Sequence, residues 1–422
     1  MAAERNKRIS AYEKVLQITR DMVATVNLDE LLSVILTRSV ELLEAERATL
    51  FLHDAEAGQF VSRIAHGTDE IRIPADEGIA GAAARSREVL NIPDAYADGR
   101  FNREVDRRTG FRTRNILAVP LLDHSGQLVG VLEVLNKRRG GFSDEDVVLA
   151  ETLGAQAGVA LQRARLLEHY VEKQRMEQAL AIARDIQRGQ LPRADPQVEG
   201  FDVAGTTWPA DETGGDIYDF LDLGAGRTSL MLADATGHGI GPALVIVEAR
   251  AMIRALTSHQ STAGPTDLSA VLCQVNDLLV RDLDEMRFVT CFFGLLDSAD
   301  GSVRYVSAGQ GPILFYDRAA DEFEELPATD LPLGVLEHCQ FSEQVERVLK
   351  TGDVLAVLTD GFFEATNDRD EQFGMQRVRE VIRGKRDLPA SRIVAELRAA
   401  VDDFTGPMPQ ADDLTAIVIK RK

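Results

Sequence analysis

Short apolar runs, separated by glycine and polar turn residues, recur along most of this chain and alternate with stretches that carry a helical period. Residues 15–43 read as helical, and Asn27 or Asp29 starts a second helix with Leu31, Leu32, Ile35, Val40 and Leu43 on its apolar side. Residues 49–53, 60–64, 116–121 and 128–135 read as strands, with Gly58 and the turn Asp123-His124-Ser125-Gly126 between neighbours. The last two strands are continuously hydrophobic, as expected of strands covered on both faces. A helical period resumes at Asp144. The first region, residues 11–162, is therefore expected to be α+β, with helices at both ends of a sheet.

The pattern then changes. After Gly158 there is neither glycine nor proline up to Ile186, and Ala, Leu, Gln, Glu, Lys and Arg dominate. Met176, Ala179, Ala183 and Ile186 step by threes and fours, and Leu166, Leu167, Tyr170 and Val171 form a second patch upstream. The polar segment 172–175 interrupts the seam between them. A lone exposed apolar stripe is a liability, so residues 163–192 are expected to form a coiled-coil-like linker within a homodimer, ended by Gly189 and Pro192. The alternative is a single solvated helix.

Beyond it, residues 228–233, 288–296, 302–307, 313–317, 354–358 and 414–420 are strand-like, and 242–256, 268–283 and 391–404 are helical. That order predicts antiparallel sheets covered by helices over 198–422. Aspartates punctuate the runs. Asp234 ends one strand and is followed by Gly237-His238-Gly239; Asp360 follows another; Asp412 and Asp413 precede the last; Asp216 follows Gly214-Gly215 and opens an apolar run. If the strand after Asp412 runs antiparallel to one of the others, its start lies at the edge where they end, and Asp216, Asp234, Asp360 and Asp412 can share that edge. Like charges so close raise one another's pKa unless a cation intervenes, and an all-oxygen donor set selects Mg²⁺ or Mn²⁺ over zinc. Taken singly, each aspartate also reads as a cap or turn residue.

Composition narrows the class. A chain of 422 residues, 45% hydrophobic and 27% charged, suggests two or three folded domains. The net charge of −21 argues against nucleic-acid or anionic-membrane partners. No run approaches a membrane span, and the first residues are not signal-like. Three scattered cysteines, Cys273, Cys291 and Cys339, fit free thiols in a cytoplasmic protein. His53, His66 and His124 are isolated and carry no ligand pattern.

In the first region, Gly78-Ile79-Ala80-Gly81, Asn91-Ile92-Pro93-Asp94, the Gly110–Asn115 turn and the run Ile116 to Leu121 resemble a GAF domain in order and spacing. The resemblance implies a sensory module with a small-molecule ligand. Asn136, Lys137, Phe142 and Asp146 are similar to the signature of cyclic-nucleotide-binding GAF domains, with Val147 where the signature has Glu. The same residues also read as a strand end followed by an N-capped helix with an acidic first turn, and that reading is preferred.

In the second region, Gly214-Gly215-Asp216-Ile217-Tyr218-Asp219-Phe220, Asp234 to Gly239, Phe288-Val289-Thr290, Ser307-Ala308-Gly309, Leu331 to Gly334, Thr359-Asp360-Gly361 and Gln410 to Thr415 resemble, in order, the SpoIIE-like branch of metal-dependent (PPM-type) serine/threonine protein phosphatases. The linker segment Ala183 to Pro192 resembles the one preceding such domains. The resemblance implies an αββα sandwich and two Mn²⁺ or Mg²⁺ ions. It implies that Asp234 bridges the ions, that Ala235 lends its carbonyl, that Asp360 and Asp412 complete the set, and that Asp216 is ligand or support. It implies as substrate a phosphorylated bacterial regulatory protein such as an anti-sigma-factor antagonist. Two other classes remain: a non-catalytic scaffold on the same fold, and a nucleotide cyclase suggested by Gly214-Gly215-Asp216, which lacks the second acid that motif needs.

Overall fold

The structure, a computed structural model, describes residues 2–62, 71–237, 239–263, 266–283, 287–341 and 345–422. Its contacts divide the chain into two units, Met1–Met176 and Glu177–Lys422. His66 and His238 lie outside the described residues, as do positions 63 and 64 of the second expected strand.

The first unit runs α1 (Ala2–Ala24), α2 (Leu28–Leu42), β1 (Ala45–Asp54), β2 (Gln59–Ser62), β3 (Ile71–Pro74), α3 (Gly78–Ser86), β4 (Leu90–Ile92), α4 (Arg103–Thr109), β5 (Ile116–Leu122), β6 (Leu128–Lys137) and α5 (Asp144–Arg188). The strands make one antiparallel sheet in the order β3-β2-β1-β6-β5-β4. One face buries Leu50, Leu132 and Val134 against Ile18 and Met22 of α1, Leu31 and Ile35 of α2, and Leu153 and Leu161 of α5. The other face carries Phe51, Val131 and Leu135 against Ile79 and Ala83 of α3. Asn27, not Asp29, starts α2: its side-chain oxygen accepts from the Glu30 amide at 3.1 Å, meeting one of the orphan donors of a helix start.

Helix α5 is continuous over 45 residues, so the segment expected as a linker prolongs the helix that closes the first sheet. Leu166, Tyr170, Met176, Ile182 and Ile186 are exposed along it.

The second unit begins with the last turns of α5, from Glu177, and runs through β7 (Phe201–Trp208), β8 (Asp216–Gly224), β9 (Arg227–Ala235), α6 (Ile240–Ala263), α7 (Leu268–Asp282), β10 (Val289–Asp297) and β11 (Ser302–Ala308). It continues through β12 (Ile313–Asp317), β13 (Glu322–Leu326), β14 (Val345–Val348), β15 (Val354–Leu358), α8 (Gly361–Glu364), α9 (Gly374–Lys385), α10 (Ala390–Thr405) and β16 (Leu414–Arg421). Two five-stranded antiparallel sheets form, ordered β14-β11-β10-β9-β8 and β13-β12-β15-β16-β7. Between them lie Phe220, Leu232, Phe292, Tyr305, Leu355 and Ile417. Helices α6 and α7 cover the first sheet through Ile246, Ile253, Leu272 and Val275, and α9 and α10 cover the second through Val378, Ile382, Ile393 and Leu397. This is the αββα sandwich. Among the described residues no helix is long and apolar enough to cross a membrane.

Candidate active site

The antiparallel condition on the last strand holds: β16 pairs with β15, with Leu358 opposite Ala416. The sequence-based picture of one shared edge needs a correction, because the aspartates come from two stacked sheets. Asp216 and Asp234 are direct cross-strand partners on β8 and β9 of the first sheet. Asp360 follows β15 and Asp412 precedes β16 in the second. Gln310 ties the sheets together here: its amide nitrogen donates to the Leu358 carbonyl at 2.9 Å, and its oxygen accepts from the hydroxyl of Thr290, which lies opposite Asp234.

Electrostatics confirm that the carboxylates feel one another. Burial, then the charges of Asp234 and Asp413, holds Asp216 well above the ordinary carboxylate range, with the Thr415 and Thr359 hydroxyls pulling the other way. Its Oδ2 is buried without a hydrogen-bond partner. Asp234 is pushed up to about 7 by burial and then by Asp360, with Asp412 and Asp413 adding to the shift. Asp360 is raised by burial, then by Asp412 and Glu364. Among the described residues, no three such side chains already stand together tightly enough to hold a metal ion. The site is a gathered but open set of acids.

Ala235 is buried, and its amide donates to the Gly215 carbonyl at 3.0 Å. A side chain at Gly215 would meet the carbonyl oxygens of Ala235 and Gly237 at 2.8 and 2.9 Å, so only glycine lets the β8 entry loop lie this close. Gly237 and Gly239 have φ of +90° and +89°, which explains two glycines around the turn. The turn is pinned from its far side: the Thr236 hydroxyl donates to the Phe288 carbonyl at 2.8 Å and its amide does so at 3.1 Å.

Two residues that sequence reasoning did not single out hold the entry loop. Asp413 is buried, and its Oδ1 accepts from the Ala210 amide at 2.7 Å while its Oδ2 accepts from the Asp216 amide at 3.1 Å. Asp412, next to it, is exposed, and its Oδ1 accepts from the Asp413 amide at 2.8 Å. The second is Gln187, buried in the last turns of α5. Its side-chain nitrogen donates to the Gly214 carbonyl at 2.6 Å, and its oxygen accepts from the Gly214 amide at 3.1 Å. Gln190 follows with a bond from Arg250 of α6 at 3.2 Å, and Arg250 and Arg254 share Asp219 of β8 at 3.1 and 2.7 Å. An amide in a polar helix gives no sequence signal; only its two-point contact marks it.

In the first unit, the four residues of the nucleotide-type signature serve structure. The Asn136 side chain donates to Glu46 at 2.8 Å and the Arg112 carbonyl at 2.9 Å, and accepts from the Arg114 amide at 2.6 Å. Lys137 pairs with Asp146 at 2.8 Å, and the other Asp146 oxygen accepts from the Ser143 amide at 2.8 Å, a cap at the start of α5. Phe142 packs in the core that the sheet shares with α1, α2 and α5. None of the four lines a cavity of about 430 Å³ in this unit, which opens on the other face of the sheet among Phe51, Ile79, Ala80, Phe101, Phe111 and Glu133. His53 packs on Phe60, and His124 hydrogen-bonds Gln162 at 3.0 Å, so neither points to a ligand.

The second unit thus has the layers of the PP2C phosphatase fold. The likeness is direct: the SiaA-PP2C domain of Pseudomonas aeruginosa superposes with a TM-score of 0.50 at 22% identity, covering 60% of this chain and 98% of that one. The family described as stage II sporulation protein E (SpoIIE) matches residues 224–422, and the GAF domain family matches 27–161. This chain therefore carries a GAF domain followed by a SpoIIE domain. Among curated proteins it is similar to the probable 3',5'-cyclic phosphodiesterase pde-5 of Caenorhabditis elegans, 34% identical over 175 residues, or 38% of this chain and 24% of that protein. It is also similar to the cGMP-specific 3',5'-cyclic phosphodiesterase of Drosophila virilis, 32% identical over 193 residues, or 41% of this chain and 22% of that one. The chain spans about a quarter of the length of these relatives, and the likeness is confined to the GAF part.

Proposed function

We propose that the protein is a metal-dependent protein serine/threonine phosphatase governed by its GAF domain, with a phosphorylated bacterial regulatory protein, such as an anti-sigma-factor antagonist, as substrate. The observation that carries the reading is that Asp234 pairs with Asp216 across the strands and feels the charges of Asp360 and Asp412 from the second sheet, with Asp234, Asp360 and Asp412 inside the residues that match SpoIIE. The donor set suits hard divalent cations: every candidate ligand is oxygen, the carboxylates destabilise one another's charge, and a buried Asp216 oxygen has no partner. Asp234 would bridge two Mn²⁺ or Mg²⁺ ions, the Ala235 carbonyl would serve one, and Asp360 and Asp412 the other, with Asp216 as ligand or support. Bound there, such ions supply an acidified water and offset phosphoryl charge. The chain's own part is to hold the acids: Asp413 anchors the Asp216 amide, and Gln310 fixes one sheet end against the other. Mn²⁺-dependent release of phosphate from a phosphoserine protein tests the reading, and its absence with both Mn²⁺ and Mg²⁺ would overturn it.

Control by the first unit is supported by helix α5, which begins in the GAF domain and ends with Gln187 clamped on Gly214, two residues from Asp216. The exposed stripe of α5, from Leu166 to Ile186, supports a homodimer paired along that helix. Removing residues 1–197 should change the specific activity of the remaining piece relative to the full chain; equal rates would reject control by the first unit. Gln187→Ala should alter kcat, by about tenfold in either direction, while leaving the melting temperature within a few degrees, because one buried two-point contact is lost. Unchanged kcat and unchanged Mn²⁺ dependence would show that the clamp is only structural.

A further inference from the structure

Strand β6 puts a carboxylate where its pattern calls for an apolar side chain. Val131 and Leu135 point into the core shared with α3, and strand alternation sends Glu133, between them, to the same face. There it lines the cavity of about 430 Å³ with Phe51, Ile73, Ile79, Phe101 and Phe111. Burial pushes Glu133 up to about 7, and the Ala80 amide is the single group among the described residues that favours its charged form. The other charged groups lining the cavity are Arg47, Glu77, Arg100 and Asp106. Arg100 is committed to Asp98 through bonds of 2.9 and 2.6 Å, and Arg47 lies over the Phe111 ring at 5.5 Å. Asp106 is saturated by the Thr113 amide and hydroxyl, both at 2.7 Å, and by the Tyr96 hydroxyl at 3.0 Å. Glu133 is therefore a half-buried acid lining an aromatic and aliphatic chamber, and among the described residues no cation is brought to it. A carboxylate in that setting is costly by itself and is best relieved by a partner that carries positive charge and N–H donors.

We infer that the cavity binds a small molecule with an apolar or aromatic body and a cationic nitrogen head, ammonium, amidinium or guanidinium, seated on Glu133. This rests on reading the first unit as a ligand-sensing domain, and it names the chemistry of what is sensed. The chamber's volume lies within the usual range for small-molecule sites, and its walls match an apolar body. Glu77, which is exposed, and Arg47, half-buried over the Phe111 ring, line the same cavity, which leaves Glu133 as the acid the apolar walls surround and the group that favours a cation there.

The test uses the full chain and two probes of one shape, benzamidine and benzoate, followed by calorimetry and by amide shifts of Gly78, Ile79 and Ala80. Benzamidine is expected to bind and to perturb those amides, and benzoate is not. Glu133→Gln keeps the shape and removes the charge, so it should fold as well as the parent and weaken benzamidine about tenfold or more. The sign with pH follows from the raised carboxyl. Below about 7 Glu133 holds its proton and offers no charge, so benzamidine affinity should rise about tenfold from pH 6 to pH 8, while benzamidine itself stays cationic throughout. Benzoate binding at those amides, without benzamidine, would overturn the cationic head and leave the sensing role standing. Benzamidine binding that ignores both Glu133→Gln and pH would overturn the assignment to Glu133, and binding of neither probe would overturn the inference as a whole.

Discussion

Asp234→Asn is expected to lower Mn²⁺-dependent hydrolysis of a phosphoserine protein by on the order of 10³-fold, equivalent to about 4 kcal/mol of barrier. The effect is large because Asp234 stands at the centre of the set: it faces Asp216 across the strands and feels Asp360, Asp412 and Asp413. An amide keeps the shape but cannot bridge two cations, and it removes the negative charge that would hold them there. The same change takes one member out of a cluster of like charges. The metal-free variant should therefore melt at or above the temperature of the parent, although it has lost activity. Activity within a few-fold of the parent would reject the bridging role. A variant that melts well below the parent would show that Asp234 holds the fold and not the cations.

The second large effect is expected at Gly361, immediately after Asp360. A side chain there would run into the backbone carbonyl of Asp413, which is main chain and cannot swing aside, and would also press on the Leu414 side chain. Gly361→Ala should destabilise the protein by about 1–3 kcal/mol, as overpacking against fixed atoms does. It should also spread the ends of β15 and β16, moving Asp360 away from Asp412. The expected signature is a lowered melting temperature together with a raised Mn²⁺ requirement; a variant with parental stability and parental metal response would mean that the two strand ends tolerate separation.

Much of this architecture is legible in the amino-acid order. The runs 313–317 and 354–358 match β12 and β15 residue for residue, because inner strands of a two-sheet sandwich are apolar along most of their length. Strand β13, Glu322–Leu326, escapes notice for the opposite reason: it lies at a sheet edge and is mostly charged, as edge strands that resist pairing often are. Helix α9 buries only Val378 and Ile382 fully, one turn apart, which is too sparse a stripe to announce a helix. The aspartates at strand ends are legible as a set. What the sequence hides is which sheet each belongs to, since register and stacking join residues far apart in the chain. Gln187 and Glu133 stay hidden for a related reason: each looks ordinary among its neighbours, and only the fold shows one clamped to a main chain and the other turned into a cavity.

The dipeptide Asp412-Asp413 sorts two identical side chains into two jobs. Along extended chain, neighbours leave on opposite sides, so Asp413 turns inward to grip the Ala210 and Asp216 amides and Asp412 turns outward beside Asp360. A one-residue slip of β16 against β15 and β7 would therefore exchange inside and outside without altering either acid. A descendant of this sequence could keep every carboxylate, its charge and its Asp-Asp signature, and still have the outward acid facing the wrong layer. The register of the last strand, more than the presence of the pair, decides which acid faces the other aspartates.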